Sequence, residues 1–199
     1  MLNFRTTRII PIALVLILVT ICIAGLVSFG RTIFFPDAKE TPTSDIVMDT
    51  FLDPNSVDHS VKMVVRGALG SDEDFSSYYI QISPTNRKVT TFKGYLKQPV
   101  DDIVLENNIP AYEQFVYALN RANMMKGVEF KDDKNDTRGI CATGKLYEFQ
   151  VLEANKPLKT LWTTSCHGAK GSLSANLDQI SNLFTTQVPG SSKIINKIH

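Results

Sequence analysis

An uninterrupted apolar run near the N-terminus constrains this chain more than any other feature. It extends from Ile9 to Val27 and contains no charged residue. Its nineteen residues, at a helical rise of about 1.5 Å each, span roughly 28 Å, the thickness of a bilayer's hydrocarbon core. A helix also satisfies its backbone hydrogen bonds internally, which lipid requires. The run therefore predicts a transmembrane helix, which we assign to residues 9–29.

The charges that flank this run predict its orientation. Arg5 and Arg8 precede it without any acid, whereas the residues just after it carry both signs. The positive-inside rule then places residues 1–8 in the cytoplasm and the C-terminal part outside a cell membrane that the chain crosses once. We expect an uncleaved signal anchor, because the apolar core is longer than the ~7–15 residues of a cleaved signal peptide. The alternative is a signal peptide that is cleaved after the small-x-small sequence Ser28-Phe29-Gly30.

The charge balance of the exported part disfavours one class of partner. All 20 acidic residues follow Gly30, together with 19 of the 21 basic residues, so this part has a net charge near −1. A nucleic-acid-binding domain has a strongly basic face or stripe instead. We expect contact with the lipid bilayer through residues 9–29, an unidentified protein or envelope polymer as partner, and no nucleic acid.

Composition divides the exported part into three segments. Residues 30–60 contain three prolines among acidic and hydroxyl-bearing residues, which is typical of a stalk or linker. Residues 61–190 are long enough for one domain with its own hydrophobic core. Residues 191–199 are a short basic tail, which we expect to be flexible.

Alternating apolar residues predict five strands in the domain. These strands cover residues 61–69, 78–83, 88–95, 144–152 and 157–165. Turns at residues 84–87 and 153–156 join the second strand to the third and the fourth to the fifth. The sequence therefore predicts two β-hairpins, with a polar connection at residues 99–108.

Apolar residues at helical spacing predict two helices. The first begins at an Asn108 cap with Pro110 in its first turn, and the second covers about residues 174–187. The resulting order is β-β-β-α-β-β-α. Hairpins with so few helices indicate an α+β fold, in which an antiparallel sheet carries two helices on it.

The three cysteines divide between the two parts of the chain. Cys22 falls in the apolar run, where it counts as a small apolar residue. Cys141 and Cys166 lie nearly opposite each other when counted back from the predicted hairpin turn, and an oxidising compartment favours a disulfide between them. A zinc pair and a catalytic thiol of Cys166 beside His167 are the alternatives. The zinc alternative is disfavoured because zinc needs four ligands. The catalytic alternative is disfavoured because neighbouring side chains on an extended chain point to opposite faces.

Four stretches of the domain resemble known sequences. They are Ala111–Leu119, Asp136–Gly144, Leu161–Cys166 and Leu183–Pro189. These stretches are similar to uncharacterised single-pass membrane proteins of candidate-phylum bacteria of the Saccharibacteria type, over most of the exported domain. The resemblance implies the same architecture and the same cysteine pair. Because that group has no assigned activity, it implies no function.

Several polar segments contain residue types that occur in metal, phosphate or catalytic sites, but none contains a complete motif. The acids at 132–136 lack the glycine that an EF-hand loop has at its sixth position. The glycine-rich residues 168–172 lack the full phosphate-binding pattern. The acid groups at 72–74 and 101–102 match the paired carboxylates of glycosidases, a combination that is common on loops. Trp162, the only tryptophan, is expected to pack near the disulfide rather than to stack on a ligand.

Together these features favour a membrane-anchored, extracytoplasmic binding or scaffolding module without catalysis. We predict no catalytic residue, cofactor or metal ligand, because no catalytic motif is complete. The alternative is a surface hydrolase that acts on an envelope polymer through dispersed acids or through His59 and His167. A structural subunit of a surface appendage is disfavoured, because the chain lacks a pilin-like cleavage junction.

Overall fold

Residues 58–198, which the computed structural model of the protein describes, form a six-stranded antiparallel sheet with three helices. This is the α+β class that the sequence predicted. The predicted cytoplasmic tail, the transmembrane helix at 9–29 and almost all of the stalk lie outside the described residues. Within residues 58–198, no helix is both long enough and apolar enough to cross a membrane.

The six strands are β1 to β6 in chain order. They cover His59–Arg66, Ser76–Ile82, Asn86–Lys93, Gln98–Glu106, Leu146–Glu153 and Lys156–Thr164. Their order across the sheet is β4-β3-β2-β1-β5-β6. Strand β1 is therefore internal, and it pairs with β2 on one side and β5 on the other.

The three helices are α1 to α3 in chain order. They cover Ile109–Arg121, Leu177–Gln187 and Ser191–Ile195. Helix α1 begins as predicted, because the Asn108 side chain accepts a hydrogen bond of 2.9 Å from the Ala111 amide. The Asn176 side chain caps α2 in the same way, on the Gln179 amide. Each cap satisfies an amide that the helix itself leaves without a partner.

One face of the sheet carries the hydrophobic core. Alternate residues of β1, namely Val61, Met63 and Val65, are buried on this face. Helix α1 packs onto it through Phe115 among other residues, and helix α2 does so through Phe184. The rings of these two phenylalanines meet edge to face, with centroids 5.4 Å apart. Such a geometry is favourable between aromatic rings.

The segment predicted as a polar connection is an edge strand. Residues 98–106 form β4, which pairs with β3. Ile103 and Leu105 alternate along it and pack against the core. Acidic residues are tolerated here because an edge strand faces solvent, and Lys197 pairs with Asp101. The acidic residues in this segment made the alternation of its apolar residues hard to recognise in the sequence.

The C-terminal residues also differ from the prediction. The tail at 191–199 is expected to be flexible, but its residues 191–198 form α3 and a further 3₁₀ turn, Asn196–Ile198. Ile194, Ile195 and Ile198 are buried in the core cluster. Their spacing gives one apolar helical face, and burial of that face stabilises a helix too short to form alone. Three helices therefore pack on the sheet rather than two.

Truncation of Phe115 tests the assignment of the core face. The substitution Phe115→Ala should lower the free energy of unfolding by about 3–5 kcal/mol, because it removes a buried ring and leaves a cavity. Tyr117, on the same helix, is 49% exposed, and Tyr117→Ala should change that free energy by less than about 0.5 kcal/mol. Chemical denaturation of the purified protein measures both. Equal midpoints for the two variants would contradict this packing.

Candidate functional site

The face of the sheet opposite the core is the candidate site, and we call it the open face. The buried side chains of all three helices belong to the core on the other side. Side chains of the open face, together with Lys97 from the β3–β4 turn, line a concavity of about 470 Å³. The residues whose side chains form it are Lys62, Val64, Arg66, Ser77, Tyr79, Phe92, Lys97, Glu148 and Gln150.

Strand register brings these residues together from distant parts of the chain. Val64 lies opposite Tyr79 of β2 on one side and opposite Glu148 of β5 on the other. Lys62 and Arg66 are two residues before and after Val64, so they point to the same face. One strand therefore supplies both cations, and its two neighbours supply the aromatic ring and the carboxylate.

Lys62 and Tyr79 form a cation–π pair. The Lys62 ammonium lies 4.4 Å from the centre of the Tyr79 ring, a distance at which the ring attracts a cation. The Phe92 ring is 5.8 Å from the Tyr79 ring. Burial lowers the pKa of Lys62, and the nearby charge of Lys97 lowers it further, while Tyr79 and Glu148 act in the opposite direction. The floor of the concavity thus combines flat apolar surface with positive charge.

Arg66 links the open face to the loop that precedes β5. Its guanidinium donates hydrogen bonds to the Glu148 carboxylate and, over 2.6 Å, to the Thr137 hydroxyl. Both members of the Arg66–Glu148 ion pair are partly shielded from water, with 29% and 19% of their side chains exposed. Arg66 therefore neutralises the one carboxylate in the lining and holds the loop against the sheet.

A second, more apolar pocket of about 300 Å³ adjoins the first at Arg66. Its lining includes Leu69, Phe75, Tyr95, Ile140, Cys141 and Leu146. The Phe75 and Tyr95 rings are stacked, with centroids 4.2 Å apart and planes inclined by 9°. The Tyr95 hydroxyl donates to the Gly70 carbonyl over 3.0 Å, which fixes the ring against the β1–β2 loop.

Cys141, one member of the cysteine pair, forms part of the pocket wall. The structure brings Cys141 and Cys166 to disulfide-bonding distance, with Cα atoms 5.7 Å apart. Both lie just beyond Leu146 and Thr164, which are paired at the open end of the β5–β6 hairpin. A bonded pair has no thiolate available to bind zinc or to attack a substrate.

The backbone at Gly144 runs close to the two cysteine sulfurs, and only glycine leaves room for this approach. A Cβ atom at Gly144 would lie 2.8 and 2.9 Å from the two cysteine sulfurs, closer than real Cβ atoms approach other atoms. The Leu69 amide donates to the Ala142 carbonyl over 2.8 Å on the other side of this loop. The disulfide and this hydrogen bond together hold the loop in place as one wall of the apolar pocket.

The acid groups noted in the sequence hold the structure together instead of forming a site. Asp72 accepts a hydrogen bond of 2.7 Å from the Tyr95 amide, and Asp74 accepts one of 2.8 Å from the Ser71 hydroxyl. Hydrogen bonding to Lys197 lowers the pKa of Asp101. These carboxylates stabilise a turn and an edge strand.

The acidic loop before β5 is likewise occupied by its own neighbours. Asp132–Asn135 is a 3₁₀ turn, and the Asp136 carboxylate binds Arg138. That hydrogen bonding lowers the pKa of Asp136 to about 2. In the part of the chain that the structure describes, no three His, Cys, Asp or Glu residues lie close enough together to hold a metal ion.

Trp162 is buried and packs under this loop. Only 3% of its surface is exposed, its indole nitrogen donates to Asn135 over 3.2 Å, and Phe130 meets its ring edge-on. The glycine-rich segment lies against its backbone, where Ser172 accepts a hydrogen bond from the Trp162 amide. A Cβ atom at Gly171 would lie 2.1 Å from the Trp162 carbonyl oxygen. Close packing therefore accounts for both Trp162 and the glycine-rich segment.

His59 and His167, the candidate hydrolase residues, lie at opposite ends of the sheet. His59 begins β1 opposite Glu153, with its Nε2 3.4 Å from the glutamate carboxylate. His167 is exposed and follows β6, beyond the pair formed by Leu146 and Thr164. About seven residues of strand, or roughly 23 Å, separate the two ends.

The open-face residues were missed because each is an ordinary strand residue in the sequence. The only signal was the alternation of β1, where Lys62 and Arg66 occupy the polar positions. Chemically, the arrangement provides cations, aromatic rings and amides, which bind ligands rather than transfer protons. No known family model, curated protein or solved structure matches this chain.

Loss of the disulfide tests its structural role. Cys141 and Cys166 are 25 residues apart, and chain-entropy reasoning assigns such a crosslink roughly 3 kcal/mol of stability. Replacing both cysteines by alanine should therefore lower the free energy of unfolding by about that amount, whereas Cys22→Ala should not. Thiol counting on the denatured, unreduced protein should find Cys22 alone. Three reactive thiols in correctly exported protein would show that the crosslink does not form.

Proposed function

We propose that this protein is a membrane-anchored binding module, which holds a macromolecular partner outside the cell membrane through the open face of its sheet. The observation that carries this proposal is the convergence of Lys62, Arg66, Tyr79 and Lys97 on one concavity. These residues come from separate strands and turns, and the helices pack on the opposite side. A surface of this kind recognises a ligand by shape, charge and ring stacking.

The chemistry of the lining supports binding over hydrolysis. Glycoside hydrolysis requires two carboxylates across the scissile bond. The open-face concavity has one, Glu148, which is ion-paired with Arg66. A nucleophile with a neighbouring base would serve acyl transfer, but neither His59 nor His167 lines the concavity or the adjoining pocket. The lining of the concavity therefore has few groups that could transfer a proton and several that could bind a ligand.

The sequence of the anchor supports a location at the cell envelope. The apolar run at 9–27 has the length of a bilayer-spanning helix, and Arg5 and Arg8 mark its cytoplasmic side. A domain outside the membrane meets oxidising conditions, which agrees with cysteines at disulfide distance. We therefore propose a single-pass protein whose C-terminal domain faces the envelope, where its partner is a protein or an envelope polymer.

Protease added to intact cells tests this topology. The domain should be digested without lysis, because Arg5 and Arg8 precede the anchor and all acids follow it. A cytoplasmic protein in the same cells provides the control and should survive. Protection of the domain until the membrane is opened would reverse the proposed orientation.

Crosslinking in intact membranes tests the binding surface. A partner crosslinked to the full-length protein should be lost with Tyr79→Ala, because this change removes the ring beneath Lys62 from the open face. The matched control is Tyr117→Ala, which truncates an exposed tyrosine on α1. Equal recovery of every crosslinked species with both variants would refute binding through the open face.

A further inference from the structure

Positive charge exceeds negative charge in the lining of the open-face concavity. Lys62, Arg66 and Lys97 line the concavity together with a single acid, Glu148. Arg66 is already paired with that acid, so the two lysines supply the excess. Their mutual repulsion favours an anionic group between them. The Tyr79 ring excludes water from one side of Lys62 and strengthens such an interaction.

The adjoining pocket complements this charge with apolar surface. Leu69, Phe75, Ile140 and Leu146 are among its lining residues, and its volume of about 300 Å³ admits a large aliphatic or aromatic side chain. Arg66 borders both the concavity and the pocket. Lys62 and Arg66 are four residues apart on β1, which corresponds to roughly 13 Å of extended chain.

We propose that the open face binds an extended acidic protein segment, with a carboxylate between Lys62 and Lys97 and an apolar side chain in the pocket beside the disulfide. This inference rests on the proposed binding function and names its ligand. In an extended peptide, side chains four residues apart project from the same face at about 13 Å. That spacing corresponds to the separation along β1 of Lys62, which lines the first subsite, and Arg66, which borders the pocket.

The two subsites together favour a peptide over other envelope ligands. A phosphate polymer offers charge but no apolar group for the pocket. A glycan offers ring faces for Tyr79, but its hydroxyl groups would lose hydrogen bonds to water among the apolar side chains of the pocket. A peptide with one acidic and one apolar side chain satisfies both subsites.

Peptide binding to the full-length protein in a neutral detergent tests the ligand class. The probe is a fluorescent nine-residue peptide with a glutamate four positions before a leucine. Two control peptides carry glutamine for the glutamate or serine for the leucine. Fluorescence anisotropy should show that the probe binds about tenfold or more tightly than either control, because each control loses one subsite contact.

Protein variants assign each contact to its subsite. Lys97→Ala should weaken binding of the probe about tenfold but leave the glutamine peptide unchanged, and the exposed Lys193 of α3 provides the control Lys193→Ala. Leu69→Ser should weaken the probe but leave the serine peptide unchanged. Its control is Leu158→Ser, because Leu69 and Leu158 are 47% and 50% exposed. Equal affinity for all three peptides would overturn the proposal.

Two further ligands separate this inference from the proposed function. Soluble polyphosphate and a chitin oligosaccharide are tested on the parent protein and on Tyr79→Ala. Binding of either polymer that requires Tyr79, without selective peptide binding, would overturn the peptide assignment and leave the binding function standing. If no probe binds and the crosslinked species are also independent of Tyr79, both proposals fail.

Discussion

The position of β1 inside the sheet is the constraint on which the rest of the structure depends. This strand bonds to β2 and β5 along its length. Its residues Val61, Met63 and Val65 are buried in the core, and Lys62, Val64 and Arg66 point to the open face. Because side chains alternate along a strand, a slip of one residue would put charges in the core and remove the candidate site. The same register therefore specifies both the hydrophobic core and the candidate site.

Arg66 connects the sheet to the loop before β5. Its ion pair with Glu148 and its hydrogen bond to Thr137 connect β1, β5 and the loop before β5. The disulfide fixes the far end of that loop to the end of β6. The apolar pocket lies between these attachments, so the ion pair and the crosslink help to fix its shape. Such double attachment favours a pocket that is formed before any ligand arrives.

Where the sequence misled, long-range packing was the reason. The acids of residues 98–106 looked like a connection, but pairing with β3 made this segment a strand. Residues 191–198 looked like a loose tail, but burial of Ile194, Ile195 and Ile198 ordered them. In both segments the local signal was weak, and contacts with residues distant in sequence decided the structure.

The sequence by itself determined the α+β class, the two hairpins, the Asn108 cap and the cysteines that would meet, because these depend on local periodicity and turn chemistry. It also carries the prediction of an anchor at residues 9–29. Only the tertiary structure decided which polar residues share a surface. Lys62, Tyr79 and Glu148 lie far apart along the chain, and hydrogen bonding between their strands makes them neighbours. A site assembled across strand register leaves no local pattern, so only the folded sheet reveals it.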